Sequence, residues 1–184
     1  MQFNITTKDV TGSTNDDVWK LAAQGAPAGT VVVAHKQRSG RGQWGRVWMS
    51  PEGGLYFSVL MRPGTPERTW PAYSRAFAEA VAAVLRDECG VDGDVIRVKA
   101  PNDVVCDQGK LCGISLESRC GAIVVGVGVN VFHADRPIVT DGRNNPAYVC
   151  DVASDYIAPS RRALDNLLGR LLSAFAVVME GSLQ

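Results

Sequence analysis

The chain has 184 residues, 19 basic and 19 acidic side chains, a formal net charge of zero and an apolar fraction of 46%. That balance excludes a global basic field for DNA or an anionic membrane, and the chain carries no long apolar run and no signal-like N-terminus. Five cysteines, Cys89, Cys106, Cys112, Cys120 and Cys150, are odd in number and lack C-x-x-C spacing, which predicts reduced, mostly buried thiols in a cytoplasmic protein.

A short strand is expected around Phe3 to Thr6, followed by a turn at Thr11-Gly12 and a helix. Ser13 or Thr14 can cap that helix, Asp16 and Asp17 suit its positive end, and Gly25-Ala26-Pro27 stops it. A strand from Thr30 to Ala34 leads into Ser39-Gly40-Arg41-Gly42-Gln43-Trp44-Gly45-Arg46-Val47-Trp48, too irregular for helix or strand. Its glycines let main-chain N–H groups approach a ligand, and Arg41 and Arg46 can bind phosphate or carboxylate oxygens bidentately. Taken alone, the segment fits an anion-closing loop or a basic surface loop equally well.

Leu55 to Met61 reads as a strand ended by Arg62-Pro63-Gly64, and Trp70, Tyr73, Phe77, Val81, Val84 and Leu85 mark one face of a long helix. Val95 to Val105 is broken by Pro101-Asn102-Asp103 and reads as strand, turn, strand, with Lys99 at a strand end. Lys110-Leu111-Cys112-Gly113-Ile114-Ser115-Leu116-Glu117 resumes a strand, so two ammonium groups are expected to converge. Ala122 to Val131 is a nearly all-apolar strand whose Gly126 and Gly128 allow close approach of a ligand or backbone, and Asn130 ends it with a polar group. Asp135 to Ala147 reads as loop, and Leu164, Leu167, Leu168, Leu171, Leu172 and Phe175 predict a last helix. The order is mixed α/β in one domain over residues 1–184: a mixed, largely antiparallel sheet packed with helices. Cys112 reads as a small core residue, and His35 and His133 are too far apart in the chain to predict a metal site.

Five segments in this order resemble the catalytic domain of biotin protein ligases, over roughly residues 9 to 131. In that family the pattern is a Ser-Thr-Asn helix start, a Gly-Arg-Gly loop, a Lys-Trp-Pro-Asn-Asp turn, a Lys-Leu-Ala-Gly-Ile strand and a Gly-Ile-Gly-Ile-Asn strand. The resemblance implies the class II synthetase-like fold shared with lipoate ligases. The implied chemistry activates biotin with ATP to biotinyl-AMP and transfers the biotinyl group to a lysine of a biotin carboxyl carrier protein. Lipoate or octanoate transfer on the same fold, and biotin binding without catalysis, are the alternatives.

Carried over residue by residue, the resemblance implies catalytic roles for Lys110, Arg41 and Lys99. It implies a biotin pocket at Ser13, Thr14, Asn15, Gln37, Gly40, Arg41, Lys110, Gly113 and Gly128. The ATP or adenylate side would use Arg41, Gly42, Arg46, Trp48, Lys99, Asn102, Asp103 and Asn130, with Asp103 toward the nucleotide's Mg2+. The glycine loop is expected to fold over the ligand and exclude water from the anhydride. Ala100 stands where the family has tryptophan, and Gln43 where it often has arginine. Neither an N-terminal helix-turn-helix domain nor a C-terminal β-barrel is expected. An exposed sheet edge would allow a homodimer.

Overall fold

The structure is a computed structural model that describes residues 1–135, 138, 145–154 and 158–181. Its strands are β1 (Asn4–Thr11), β2 (Thr30–Gln37), β3 (Leu55–Met61), β4 (Arg97–Lys99), β5 (Asp103–Cys106), β6 (Gly109–Arg119) and β7 (Ala122–Val129), and its helices are α1 (Thr14–Ala23), α2 (Pro71–Cys89), α3 (Val149–Val152) and α4 (Arg161–Glu180). The strands form one sheet in the order β1-β2-β3-β7-β6-β5-β4. β1 and β2 are parallel because α1 crosses over between them, whereas the other pairs are antiparallel. β1 and β2 run past the expected ends because they go on pairing at Val10↔Lys36 and Thr11↔Gln37.

Side-chain alternation divides the sheet into two faces of different chemistry. Leu55, Phe57, Val59 and Met61 of β3 and Ile123, Val125, Val127 and Val129 of β7 join the main core with α2 and α4. Phe175 of α4 closes it, its ring centroid 4.5 Å from that of Phe77 and 5.8 Å from that of Phe57. Ser160 Oγ accepts the Ala163 amide hydrogen bond at 3.1 Å and caps α4, and Gly90, at φ 62°, ends α2 in the left-handed conformation. The opposite face has a smaller apolar layer, in which Val18 of α1 packs on Val32, Leu60, Ala122 and Val124.

Beyond that small layer, the α1 face carries little bulk. The register aligns Ser58, Gly126 and Ser115 in one row and Tyr56, Gly128, Gly113, Asp103 and Lys99 in the next. Glycine and serine there leave a depression where a leucine would have filled the space. At the β5–β6 pairing the register shifts, with Val104 opposite Cys112 but Val105 opposite Lys110. This bulge sends Leu111 and Cys112, neighbours in sequence, into the main core and turns Lys110 toward the same face as Gly113. Of the loop expected over residues 135–147, only 135, 138 and 145–147 fall among the described residues. There Lys110 N donates to Asn145 O at 2.8 Å and Ala147 N to Lys110 O at 3.0 Å.

Candidate active site

A cavity of about 280 Å³ opens over the glycine rows. Its floor is the α1 face of β6 and β7, one end is the start of α1, and its rim is formed by residues 41–43 and 46–49 of the segment 39–49. That segment is a small hairpin: Gly42 N donates to Arg46 O at 2.7 Å, Trp48 N to Gly40 O at 2.9 Å, and Arg41 pairs with Val47. The indole of Trp48 lies over Gly113 and Gly128, where a Cβ at Gly128 would meet its Nε1 at 2.3 Å. That Nε1 is buried and makes no hydrogen bond among the described residues, so the cavity holds an unused donor.

The end beneath α1 is a continuous polar network. Gln37 Oε1 accepts from Thr14 N at 2.8 Å and Thr14 Oγ1 at 3.1 Å, and Gln37 Nε2 donates to Ser50 Oγ at 2.8 Å. Ser58 Oγ lies 2.6 Å from both Thr14 Oγ1 and Asn15 Oδ1, and its single proton serves one of them. Asn15 Nδ2 passes the chain to Glu117 Oε1 at 2.9 Å. Ser13 occupies the N-cap position but makes no side-chain capping bond; Gln37 instead satisfies a first-turn amide of α1. The Ser13 side chain is thus left to face the cavity.

Three cations line the cavity, and two of them, Arg41 and Lys110, are ion-paired to carboxylates. The Arg41 guanidinium grips Asp16 with two hydrogen bonds of 2.9 and 2.7 Å and reaches Glu117 at 3.3 Å. The hydrogen bond from Arg41 holds the Asp16 carboxyl below its ordinary range, while the guanidinium itself is pushed further upward, chiefly by Asp16. Burial raises the Glu117 carboxyl, but hydrogen bonds from Asn15 and Trp19 and the charge of Arg41 outweigh it, so the net direction is down. Lys110 Nζ pairs with Asp103 at 2.6 Å and stands 5.0 Å from the centre of the Trp48 ring. An arriving anion would meet both cations already oriented by their carboxylates.

Of the residues expected at the site, all but Gly40, Asp103 and Lys99 line this cavity. Gly40 packs against its wall, where a Cβ would meet Trp48 O at 2.4 Å. Asp103 acts from behind Lys110. Lys99 does not converge with Lys110: it lies exposed on β4, beyond Asp103 in the same row, and lines a separate depression with Arg97, Val105, Cys106 and Gly109. The cavity amides of Asn102 and Asn130 also work structurally, donating to Ile114 O at 2.8 Å and Lys110 O at 2.9 Å. Sequence reasoning missed Asp16 as partner of Arg41, Ser115 on the floor, and Ser58 and Glu117, which hydrogen-bond to the lining residue Asn15. Glu117 has the same strand parity as Gly113, a usable signal once the faces are known. None of the five cysteines forms a disulfide; Cys106 and Cys112 are buried, Cys89 and Cys150 half-buried and Cys120 exposed.

Comparison with known proteins agrees with this architecture. A sequence model of the biotin/lipoate A/B protein ligase family matches residues 8–131. The bifunctional ligase/repressor BirA of Bacillus subtilis is 37% identical over 129 residues, covering 67% of this chain and 39% of its own length. This chain therefore spans about two fifths of that relative. The biotin–[acetyl-CoA-carboxylase] ligase of Paracoccus denitrificans is 33% identical over 172 residues, covering 90% of this chain and 69% of its own. Among solved structures, the biotin protein ligase of Aquifex aeolicus in complex with biotin and ATP superposes with a TM-score of 0.75 at 27% identity, over 97% of this chain and 73% of that one. The family match runs from β1 through the floor of the cavity, and an enzyme relative aligns over nine tenths of the sequence; the chain belongs to the biotin/lipoate A/B protein ligase family.

Proposed function

We propose that the chain is a biotin protein ligase that condenses biotin with ATP to biotinyl-5′-AMP, releasing pyrophosphate, and then passes the biotinyl group to a lysine of a biotin carboxyl carrier domain. One observation carries the reading: a single cavity holds hydroxyl and amide groups at one end and Arg41 and Lys110 beside a glycine floor. Ser13, Thr14, Asn15 and Gln37 suit the ureido ring, whose carbonyl and N–H groups need both donors and acceptors. The apolar part of biotin would lie along Gly113, Gly128 and the Trp48 indole, where removal of side chains makes room.

The first step brings a carboxylate against a polyphosphate, so repulsion must be suppressed and the negative charge gathering at phosphorus stabilised. Lys110 is placed for the carboxylate, and Arg41 with Arg46 and Gly42 for the α-phosphate. Lys99, Asn102 and Asn130 lie toward the nucleotide, with Lys99 at the far end of the Gly128–Gly113–Asp103 row. Neither step requires a nucleophile from the chain. Magnesium would arrive with the nucleotide, held mainly by phosphate oxygens, and would neutralise phosphate charge there; Asp103, ion-paired to Lys110 outside the cavity lining, would join it only as an outer carboxylate.

No helix of the described residues is long and apolar enough to cross a membrane, and five cysteines outside any disulfide support a cytoplasmic setting. A homodimer would form by pairing along the exposed edge strand β1. The test is ATP–pyrophosphate exchange, expected to require biotin and to fall about 100-fold or more in Lys110→Ala. Exchange dependent on lipoate and indifferent to biotin would overturn the substrate assignment. Unchanged exchange in Lys110→Ala would remove that residue from the chemistry.

A further inference from the structure

Outside the cavity, one cluster combines three different metal-binding side chains. His133, Cys150 and Asp151 place an imidazole nitrogen, a thiol sulfur and a carboxylate oxygen within 4.8 Å of one another. His133 Nε2 lies 2.9 and 3.0 Å from the two carboxylate oxygens of Asp151, and Cys150 Sγ lies 3.6 Å from Oδ1. A tetrahedral ion with bonds of about 2.0–2.3 Å sets its ligand atoms about 3.3–3.8 Å apart, so only small side-chain adjustments separate this cluster from a coordination sphere. We propose that His133, Cys150 and Asp151 form a site for a transition-metal dication of the zinc type, with solvent as the remaining ligand.

The main chain holds the cluster together from both sides. Val149 N donates to Asn130 O at 2.9 Å and Cys150 N to Val131 O at 3.0 Å, tying α3 to the extension of β7. On the other side Phe132 N donates to Gly53 O at 2.9 Å. Gly53, at φ 101°, approaches so closely that a Cβ there would meet the carbonyl oxygens of Phe132 and His133 at 3.0 and 3.1 Å. The Tyr148 ring lies 4.1 Å from the imidazole, centre to centre, and fixes its plane. These are the supports that keep first ligands aimed without an ion.

The donor set selects the class of ion. One sulfur and one imidazole favour zinc, cobalt or copper over magnesium or calcium, which prefer oxygen alone. Binding forms a metal–sulfur bond and releases the thiol proton to solvent. His133 and Asp151 are 62% and 42% exposed, so an ion can enter without opening the fold. Occupancy would cross-link α3 to the strand extension that begins at Asn130, on the cavity wall. The eighteen residues separating His133 from Asp151 hid this cluster from a reading of the sequence.

Titration of the reduced full chain with Co2+ tests the site. One equivalent is expected to develop a near-ultraviolet thiolate-to-cobalt band that Zn2+ abolishes. Cys150→Ser should lose the band, and Cys120→Ser, altering the exposed thiol, should keep it. His133→Ala, which removes a side chain standing mostly in water, should bind Zn2+ about tenfold or more weakly by equilibrium dialysis. No band in the wild-type chain, a band persisting in Cys150→Ser, or equal zinc retention in His133→Ala would each overturn the proposal.

Discussion

At the scale of single residues, absence of bulk does as much as chemistry. Gly126 and Gly128 sit where β7 would otherwise project side chains into the cavity, and Asn15 and Trp48 occupy the vacated space: a Cβ at Gly126 would lie 2.3 Å from Asn15 Oδ1. Gly128→Ala would press a methyl group 2.3 Å from Trp48 Nε1 and displace the indole. Overpacking of this kind costs about 1–3 kcal/mol, so biotin affinity should fall roughly ten- to hundredfold in a calorimetric titration. Gly64→Ala, where the added carbon meets nothing within 4 Å, is the matched control and should bind like the wild type. Equal affinity in both variants would show that the indole moves freely and is no part of the biotin wall. These glycines were legible in the sequence because they interrupt an apolar run in phase with one another. Ser58 was not, because one serine in the apolar strand Leu55–Met61 shows its meaning only when the register sets it beside Gly126.

At the scale of elements, three separate pieces meet on one guanidinium. Arg41 belongs to the hairpin, Asp16 to α1 and Glu117 to β6, so their ion pairs fix the rim against the floor. Both carboxyls are depressed in the folded chain. The unfolded chain consequently binds more protons in acid, so this contribution to stability is complete above the ordinary carboxylate range and disappears as pH falls through the folded values. The melting-temperature gap between wild type and Glu117→Gln is expected to be widest near neutrality and to close below the ordinary glutamate range. A gap that stays constant into acid would show that it arises from packing, not charge. Most elements were legible from periodicity, including β3 at both ends, because long alternating or helical patterns survive tertiary context. The β5–β6 bulge was not. Lys110 and Gly113 have opposite parity in an ideal strand, and only the extra residue at Leu111 brings both to one face. The same limit misplaced Lys99: its motif suggested convergence with Lys110, but β5 lies between their strands and carries Lys99 to the sheet edge.

At the scale of the molecule, the sheet separates stability from chemistry. Its α2 and α4 face is a continuous apolar core, whereas its α1 face gives up side-chain volume to the cavity and keeps only a small apolar layer. A cavity built by omission is destabilising locally, and the opposite face offsets that cost. Phe175 lies at the centre of that face, fully buried between Phe57 and Phe77. Phe175→Ala should cost about 3–5 kcal/mol, a large share of the roughly 5–15 kcal/mol that holds a domain folded. Urea unfolding would register the loss as a lower midpoint with little change in slope. Because no atom of Phe175 reaches the cavity, biotin affinity measured on the folded fraction, at a temperature where the variant remains native, should match the wild type. Additivity of distant sites gives that expectation its force. A loss of affinity in step with the loss of stability would mean that the two faces are mechanically coupled through β3 and β7, and that the floor keeps its shape only under load from the core behind it.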